Sequence, residues 1–420
     1  MITRIAYDFL RSILAQMATA TERSAPVRAL RERVDSVDLL RGLVMVIMAL
    51  DHVRDFFHAD AQLFSPEDLT RTNGMLFFTR WITHFCAPVF VFLAGVSVHF
   101  LAPRRVSRSA VSRFLVTRGV WLIFLEWAVM PVAFSFNFSY RLVLVQVLWA
   151  LGWSMIVLAG LIWLPRAWIL TLALGMIAFH NAFDSVTAAS FGNWGWLWSV
   201  LHAPSLFSAG GRQFFFLYPL IPWVGVMAAG YCLGPVIQME AARRRRILFG
   251  LGTALTLAFL VLRWLNIYGD ARRWAAQGDS VLTIVSFFNT TKYPPSLLYL
   301  LMTLGPALLV LALLDRVRVG SQNFFRVFGR VPMFYYLVHF FSIHALAVLL
   351  GGLRFGRWDF LFQFPGALLG LPAGDFPQNY GYNLAVVYLI WISLACAFYF
   401  PCRWYMNFKS RKHAAWLSYL

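Results

Sequence analysis

From Ser36 to His58 the chain reads SVDLLRGLVMVIMALDHVRDFFH, an apolar run with Asp38 and Arg41 at one end and Asp51, His52, Arg54, Asp55 and His58 at the other. Hydrocarbon rejects ionisable groups, so inside a membrane each is a functional candidate whose partner has to be named. On a helix, Arg41 and His52 are separated by roughly 16 Å along the axis, which puts His52 deep while Arg41 stays near a boundary. Asp38 and Arg41, Asp51 and Arg54, and His52 and Asp55 each stand one turn apart and share a face. An imidazole beside carboxylates gains basicity and a fixed tautomer, which is what a general base or a transient acyl acceptor requires. The plainer reading of Arg54, Asp55 and His58 is a helix end emerging into water, and that of Asp38 and Arg41 is a pair snorkelling at the interface.

Other segments add candidates. Arg80 and His84 in FFTRWITHFCAPVFVFLAGVSVHF share a face and belong to the next apolar segment. They are expected to meet the Asp51/His52 cluster across one loop, with Arg80 pairing to Asp51 and leaving His52 free. Glu126 in RGVWLIFLEWAVMP is a lone acid inside a span and needs a cationic or hydrogen-bonding partner. Lys292 and Tyr293 precede a Pro-Pro pair in TKYPPSLLYLLMTLG, which implies non-helical backbone tolerated at that depth only against protein or a water-filled cavity. His339 and His344 in VPMFYYLVHFFSIHA do not share one helix face, so they are not expected to form a metal pair. No HExxH occurs, and no metal is expected, although Asp51, His52, Asp55 and His58 keep one open by ligand type alone.

The elements that hold these residues must be membrane helices. The 420 residues are 60% hydrophobic, 17% aromatic and only 13% charged, with a mean hydropathy of +0.67, too apolar for a soluble domain. The formal charge of +18 falls in short segments between apolar runs, as positive-inside topology requires, and not on one face as in a nucleic-acid-binding module. Cys86, Cys232, Cys396 and Cys402 lie in or beside apolar segments without CxxC spacing and read as packing residues. At the N-terminus, apolar residues from Ile2 to Met17 recur at helical spacing among Arg4, Asp8 and Arg11, with no continuous apolar core of a signal peptide. This predicts an uncleaved helix lying on the membrane surface.

The expected fold is all-α and polytopic, with about ten transmembrane helices and both termini in the cytoplasm. About 20 apolar residues make a span, and the candidates cover residues 37–54, 81–101, 119–136, 142–164, 167–185, 213–236, 247–267, 293–314, 331–352 and 382–405. This orientation keeps most Lys and Arg on the cytoplasmic side. The longer outer connections, residues 55–80, 186–212, 268–292 and 353–381, are rich in Trp, Pro, Gly and Asn and suit re-entrant elements or amphipathic helices. One transmembrane domain over 35–410 is thus flanked by a basic segment over 1–34 and a short basic tail over 411–420.

SVDLLRGLVMVIMALDHVRDFFH, FFTRWITHFCAPVFVFLAGVSVHF, YPLIPWVGVMAAGY (218–231), TKYPPSLLYLLMTLGP and VPMFYYLVHF together resemble the bacterial DUF1624 membrane proteins. That family is related to the heparan-alpha-glucosaminide N-acetyltransferases and to a wider transmembrane acyltransferase superfamily. Asp38, Arg41 and His52 also fall at the spacing with which acyltransferase-3 proteins open, and His52 matches the catalytic His there. In the heparan-alpha-glucosaminide enzymes the position matching His52 is Asn and the catalytic His lies further along, which leaves His52, His58 or both as carriers of the chemistry.

The resemblance implies transfer of an acetyl or other acyl group from cytoplasmic acyl-CoA to a hydroxyl or amine of a glycan or similar acceptor across the membrane. His52 would take the acceptor proton or the acyl group, with Asp51 orienting it. Arg80, His84, Lys292 and Tyr293 would bind the acceptor or stabilise an oxyanion, with Asp38, Arg41, Glu126 and His339 in support. Arg104, Arg105, Arg108 and Arg113, or the run Arg243 to Arg246, would contact the CoA phosphates. The implied partners are membrane lipids, acyl-CoA and a carbohydrate or small amine or hydroxyl acceptor, without nucleic acid. A homodimer stands beside a monomer, and the implied location is a bacterial inner membrane. Two other classes compete: a proton-coupled transporter relaying protons through Asp51, His52, Glu126 and His339, and a non-catalytic membrane scaffold.

Overall fold

A computed structural model describes residues 35–101, 107–363 and 375–412. The expected surface helix before residue 35 and the end of the basic tail lie outside the described residues, as do Arg104 and Arg105. In chain order the helices are α1 (Asp35–Phe57), α2 (Gly74–Thr83), α3 (Cys86–Leu101), α4 (Arg108–Ala128) and α5 (Met130–Ser135). They continue as α6 (Val147–Leu161), α7 (Arg166–Phe179), α8 (Gly195–Leu201), α9 (Leu220–Gln238) and α10 (Ala241–Leu265). The last five are α11 (Ser280–Phe288), α12 (Leu297–Leu314), α13 (Phe324–Arg330), α14 (Pro332–Phe355) and α15 (Leu384–Arg411).

The chain is an all-α polytopic membrane protein. Among the described residues, eight helical segments are long and apolar enough to cross a bilayer. Two expected spans fall outside that set for different reasons: α1 carries too many charges, and α6 is short. Charge does not push α1 outward, because α1 is the central helix. It packs against α2, α3, α12, α13, α14 and α15, and Met45, Ala49 and Val53 along it are fully buried. By contrast α7, α10 and α15 bury only 22, 22 and 17% of their apolar windows, leaving Trp168, Trp264 and Trp404 on the periphery where lipid tails are the solvent.

Backbone-to-backbone contact fixes one end of α1. A Cβ on Gly42 would stand 1.7 Å from the Phe325 carbonyl oxygen, and one on Gly329 would stand 1.9 Å from that of Asp38. Only glycine lets α1 and α13 approach so closely. At the other end Ala59 N–H donates to the Tyr382 carbonyl at 3.0 Å and Tyr382 N–H to that of Phe57 at 2.7 Å, so the segment before α15 clasps the last turn of α1.

Two expected spans begin as strands. Leu142–Val145 (β1), Ser205–Ala209 (β2) and Arg212–Phe216 (β3) form a sheet in the order β1-β3-β2, with β1 parallel and β2 antiparallel to β3. Apolar β-branched and aromatic runs such as LVLV and FFF read equally as membrane helix or strand. The Gly210–Gly211 pair, at φ of 57° and 73°, supplies the tight turn that decides for a hairpin. Residues 186–212 therefore hold a 3-10 segment at Ala188–Trp194, α8 and the first strand of that hairpin.

Candidate active site

The ionisable residues on the last turns of α1 are inside the bundle. Asp51, Arg54, Asp55 and His58 are 8, 1, 8 and 7% exposed, so the helix does not emerge into water at this point. Arg80 from α2 closes on Asp51 as a buried ion pair, as the spacing suggested, and Arg54 Nη2 lies 3.0 Å from the other Asp51 oxygen, at ion-pair distance without hydrogen-bond alignment. Arg54 also pairs with Asp55.

Asp51 does not orient His52. The two are consecutive on a helix and point about 100° apart. The carboxylate oxygen nearest the ring is Asp55 Oδ2, 3.9 Å from His52 Nδ1. The His52 ring instead packs on Phe340 at 4.0 Å and on His339 at 5.4 Å between centroids, both from α14, and its side chain remains 15% exposed. Behind it, His339 is fully buried, with Nδ1 2.9 Å from the Tyr335 carbonyl and the Tyr335 ring stacked on it at 4.9 Å.

A loop acid closes the cluster. Glu67 Oε1 lies 3.5 Å from Arg80 Nε and 3.3 Å from His84 Nε2, and Glu67 Oε2 lies 3.4 Å from Arg272 Nη1. Burial alone would raise the Glu67 pKa, but the hydrogen bond and charge of His84, with Arg80 and Arg272, outweigh it and hold the carboxyl well below the usual range. His84 is thereby committed to Glu67, while Tyr299 Oη donates to the His84 carbonyl at 2.7 Å.

Lys292 stands apart from these pairs. It is 5% exposed, and among the described residues no carboxylate or other acceptor lies within hydrogen-bonding distance; its ammonium sits 5.2 Å from the centre of the Tyr293 ring. Asp51, His52 and His84 are within its electrostatic range. Asp270, which binds the residue before Lys292, is fully occupied. Asp270 accepts from Thr291 N–H at 2.8 Å, Thr291 Oγ1 at 2.7 Å, Ser296 Oγ at 2.6 Å and Arg272 N–H at 2.7 Å. Asp270 thus fixes the non-helical segment on both sides of Lys292 and leaves the ammonium facing the cluster.

Several sequence candidates are placed elsewhere. His58 is the N-cap of the 3-10 turn Ala59–Gln62, its Nδ1 accepting from Asp60 N–H at 3.2 Å. Glu126 accepts backbone N–H bonds from Gln146, Leu148 and Trp149 at 3.1, 2.9 and 3.2 Å, which caps α6 from a neighbouring helix. Asp38 and Arg41 are 1 and 9% exposed and do not snorkel; Arg41 reaches Asp38 at 3.3 Å, the Gly329 carbonyl at 3.2 Å and Ser97 Oγ at 2.7 Å. Arg330 joins Asp38 at 3.5 Å, so this pair fastens α1 to α13 and α3. His344 points away from His52, towards the carbonyls of Ala133 and Leu361.

On the basic side, Arg244 is bound to Asp315 at 2.7 Å and Arg245 lies 3.7 Å from it, while Arg108 and Arg113 are exposed. Glu67, Asp270 and Tyr335 carry no signal in the sequence that separates them from ordinary loop acids and core aromatics. The arrangement offers a partly open imidazole, a second imidazole behind it and one buried ammonium, with every nearby carboxylate already held by arginine. Proton abstraction and stabilisation of a developing anion are the chemistry such groups perform.

Residues 33–269 match the family model described as heparan-alpha-glucosaminide N-acetyltransferase, catalytic. No curated protein matches the chain significantly. The matched region runs from just before α1 to just beyond α10 and includes His52, Glu67, Arg80 and His84; Lys292, Tyr293 and His339 lie beyond it.

Proposed function

The chain belongs to the heparan-alpha-glucosaminide N-acetyltransferase catalytic family, over more than half its length, and from that premise we propose that it moves an acetyl group from acetyl-CoA to an amine or hydroxyl of a glycan-like acceptor. The observation that carries the reading is the state of His52. It is the partly open imidazole of a cluster in which Asp51, Asp55 and Glu67 are all neutralised by arginine.

His52 takes the proton of the attacking N–H or O–H, and the nucleophile adds to the thioester carbonyl. The carbonyl oxygen gains the electron pair and becomes an oxyanion; its collapse expels the CoA thiolate, which receives the proton from His52. Lys292 is the cation left to face the oxyanion, because Arg80 and His84 are spent on Asp51 and Glu67. The donor would approach from the cytoplasm, at the Asp38 end of α1, where Arg108, Arg113, Arg243 and Arg246 are among the arginines without a carboxylate partner in the described residues. The acceptor would approach from the opposite side, in a bacterial inner membrane. A proton relay through Glu126 is disfavoured by the three backbone N–H groups that occupy its carboxylate.

The test is thiol release from acetyl-CoA by the purified full-length chain in detergent, with a panel of amino sugars and polysaccharides. Release that requires an added acceptor supports the reading. No release with any acceptor, together with no acetyl-CoA binding by calorimetry, contradicts it.

A further inference from the structure

His339, beside His52, holds a buried imidazole for which the transfer just described has no use. Its Nδ1 lies 2.9 Å from the Tyr335 carbonyl, which can only accept, so Nδ1 carries the hydrogen and Nε2 of the neutral ring is left as an acceptor. That Nε2 is buried and has no hydrogen-bond partner among the described residues. It is one of several unpartnered ring nitrogens among the described residues, and the one whose ring stands beside His52. The ring is not loose: it lies between the rings of Tyr335 and His52, at 4.9 and 5.4 Å, and is tethered through its own helix. The charged groups within reach act on His52: Asp55 and Asp51 from α1, Arg80 from α2 and Lys292 from the segment before α12.

Amine chemistry supplies a use for a second imidazole. An amine reaches the site as an ammonium and leaves as an amide, so its nitrogen sheds two protons: one to free the lone pair, one after the carbon–nitrogen bond forms. A hydroxyl sheds only one. Resting on the acetyltransferase reading above, we propose that His339 Nε2 contacts the acceptor and takes the first proton from an ammonium, while His52 takes the second from the tetrahedral adduct. His52 passes its proton to the CoA sulfur as the carbon–sulfur bond breaks, and the buried His339 returns its proton to solvent through the emptied acceptor site, past the partly exposed His52. The sum is ammonium plus acetyl thioester giving amide, thiol and one free proton. Two adjacent imidazoles with no carboxylate between them divide these tasks without either having to reset within a turnover.

The experiment uses His339→Phe and His339→Gln in the full-length chain, each checked against wild type by thermal unfolding in detergent. Thiol release from acetyl-CoA is measured with an amino sugar below its amine pKa and with the aminooxy analogue of the same sugar, which is neutral at that pH. The proposal expects both variants to lose about tenfold or more with the ammonium acceptor and less than about threefold with the aminooxy acceptor, a contribution of the size general bases make. Where the Phe variant fails to fold, the polar Gln variant carries the comparison. Equal losses on both acceptors assign His339 to packing and overturn the proposal, as does wild-type activity in both variants. Wild-type protein that acetylates neither acceptor contradicts the acetyltransferase reading itself, and this proposal with it.

Discussion

Arg80 on α2 closes on Asp51 of α1, and through that ion pair the charge beside His52 is neutralised without His52 taking part. Both residues are buried, at 5 and 8% exposure, and Arg80 also reaches Glu67. Arg80→Met leaves two buried carboxylates short of a partner, a change that costs about 3–5 kcal/mol where one member of a buried pair is removed. Thermal unfolding in detergent checks it. The double variant Arg80→Met/Asp51→Asn is expected to recover part of the loss, and strictly additive losses would show that the two residues do not interact.

Lys292 is a buried cation with neither an acidic partner nor a hydrogen-bond acceptor among the described residues, whereas the buried Arg263 is bound to four backbone carbonyls. Lys292→Met is expected to lower kcat for acetyl transfer by about 10²- to 10³-fold, the range seen when an oxyanion donor is removed. KM for acetyl-CoA should move little. A variant that raises KM alone would place Lys292 in substrate binding and not in stabilising the oxyanion.

Glu67 gives the fold an acid sensitivity of definite sign. Its carboxyl is held below the unfolded value of about 4.3 by His84, Arg80 and Arg272, despite burial. A depressed carboxyl stabilises fully above the unfolded value and loses that contribution as pH falls through its folded value. The wild-type unfolding temperature should therefore drop on acidification below about pH 4, and Glu67→Gln, less stable at neutral pH, should show a shallower drop. Parallel curves for the two proteins would contradict this.

Much of this was legible in the sequence, and the limits have physical causes. Spacing placed Asp51, His52, Arg80 and His84 together because one turn on a helix and one short loop are local geometry. It did not give Glu67 or Asp270, since which loop acid folds back over a site depends on long-range packing. Spacing could not separate His52 from His58 either: six residues further along, the helix has ended and His58 is capping a turn. The residues of β1 and β3 fall in segments expected as helical spans, because short apolar runs lack a period that discriminates.

Glu126 shows the same limit from the other side. A buried acid in a span suggests chemistry, yet its partners are the three N–H groups that open α6. Glu126→Ala should cost about 1–3 kcal/mol through the unmet donors, and Glu126→Gln, which keeps an accepting oxygen, should cost less. Both should retain activity per folded molecule. Loss of activity in a fully folded Glu126→Gln would return this residue to the chemistry.

The most direct test compares acceptor-dependent thiol release from acetyl-CoA by wild type, His52→Ala and His58→Ala, all full-length and matched for thermal unfolding. His52→Ala is expected to fall by about 10²- to 10⁴-fold, the share a general base contributes. His58→Ala should lose only the stability of a cap, about 0.5–2 kcal/mol, and keep its rate. Full activity in folded His52→Ala, or its loss in His58→Ala alone, would contradict the assignment of the chemistry to His52.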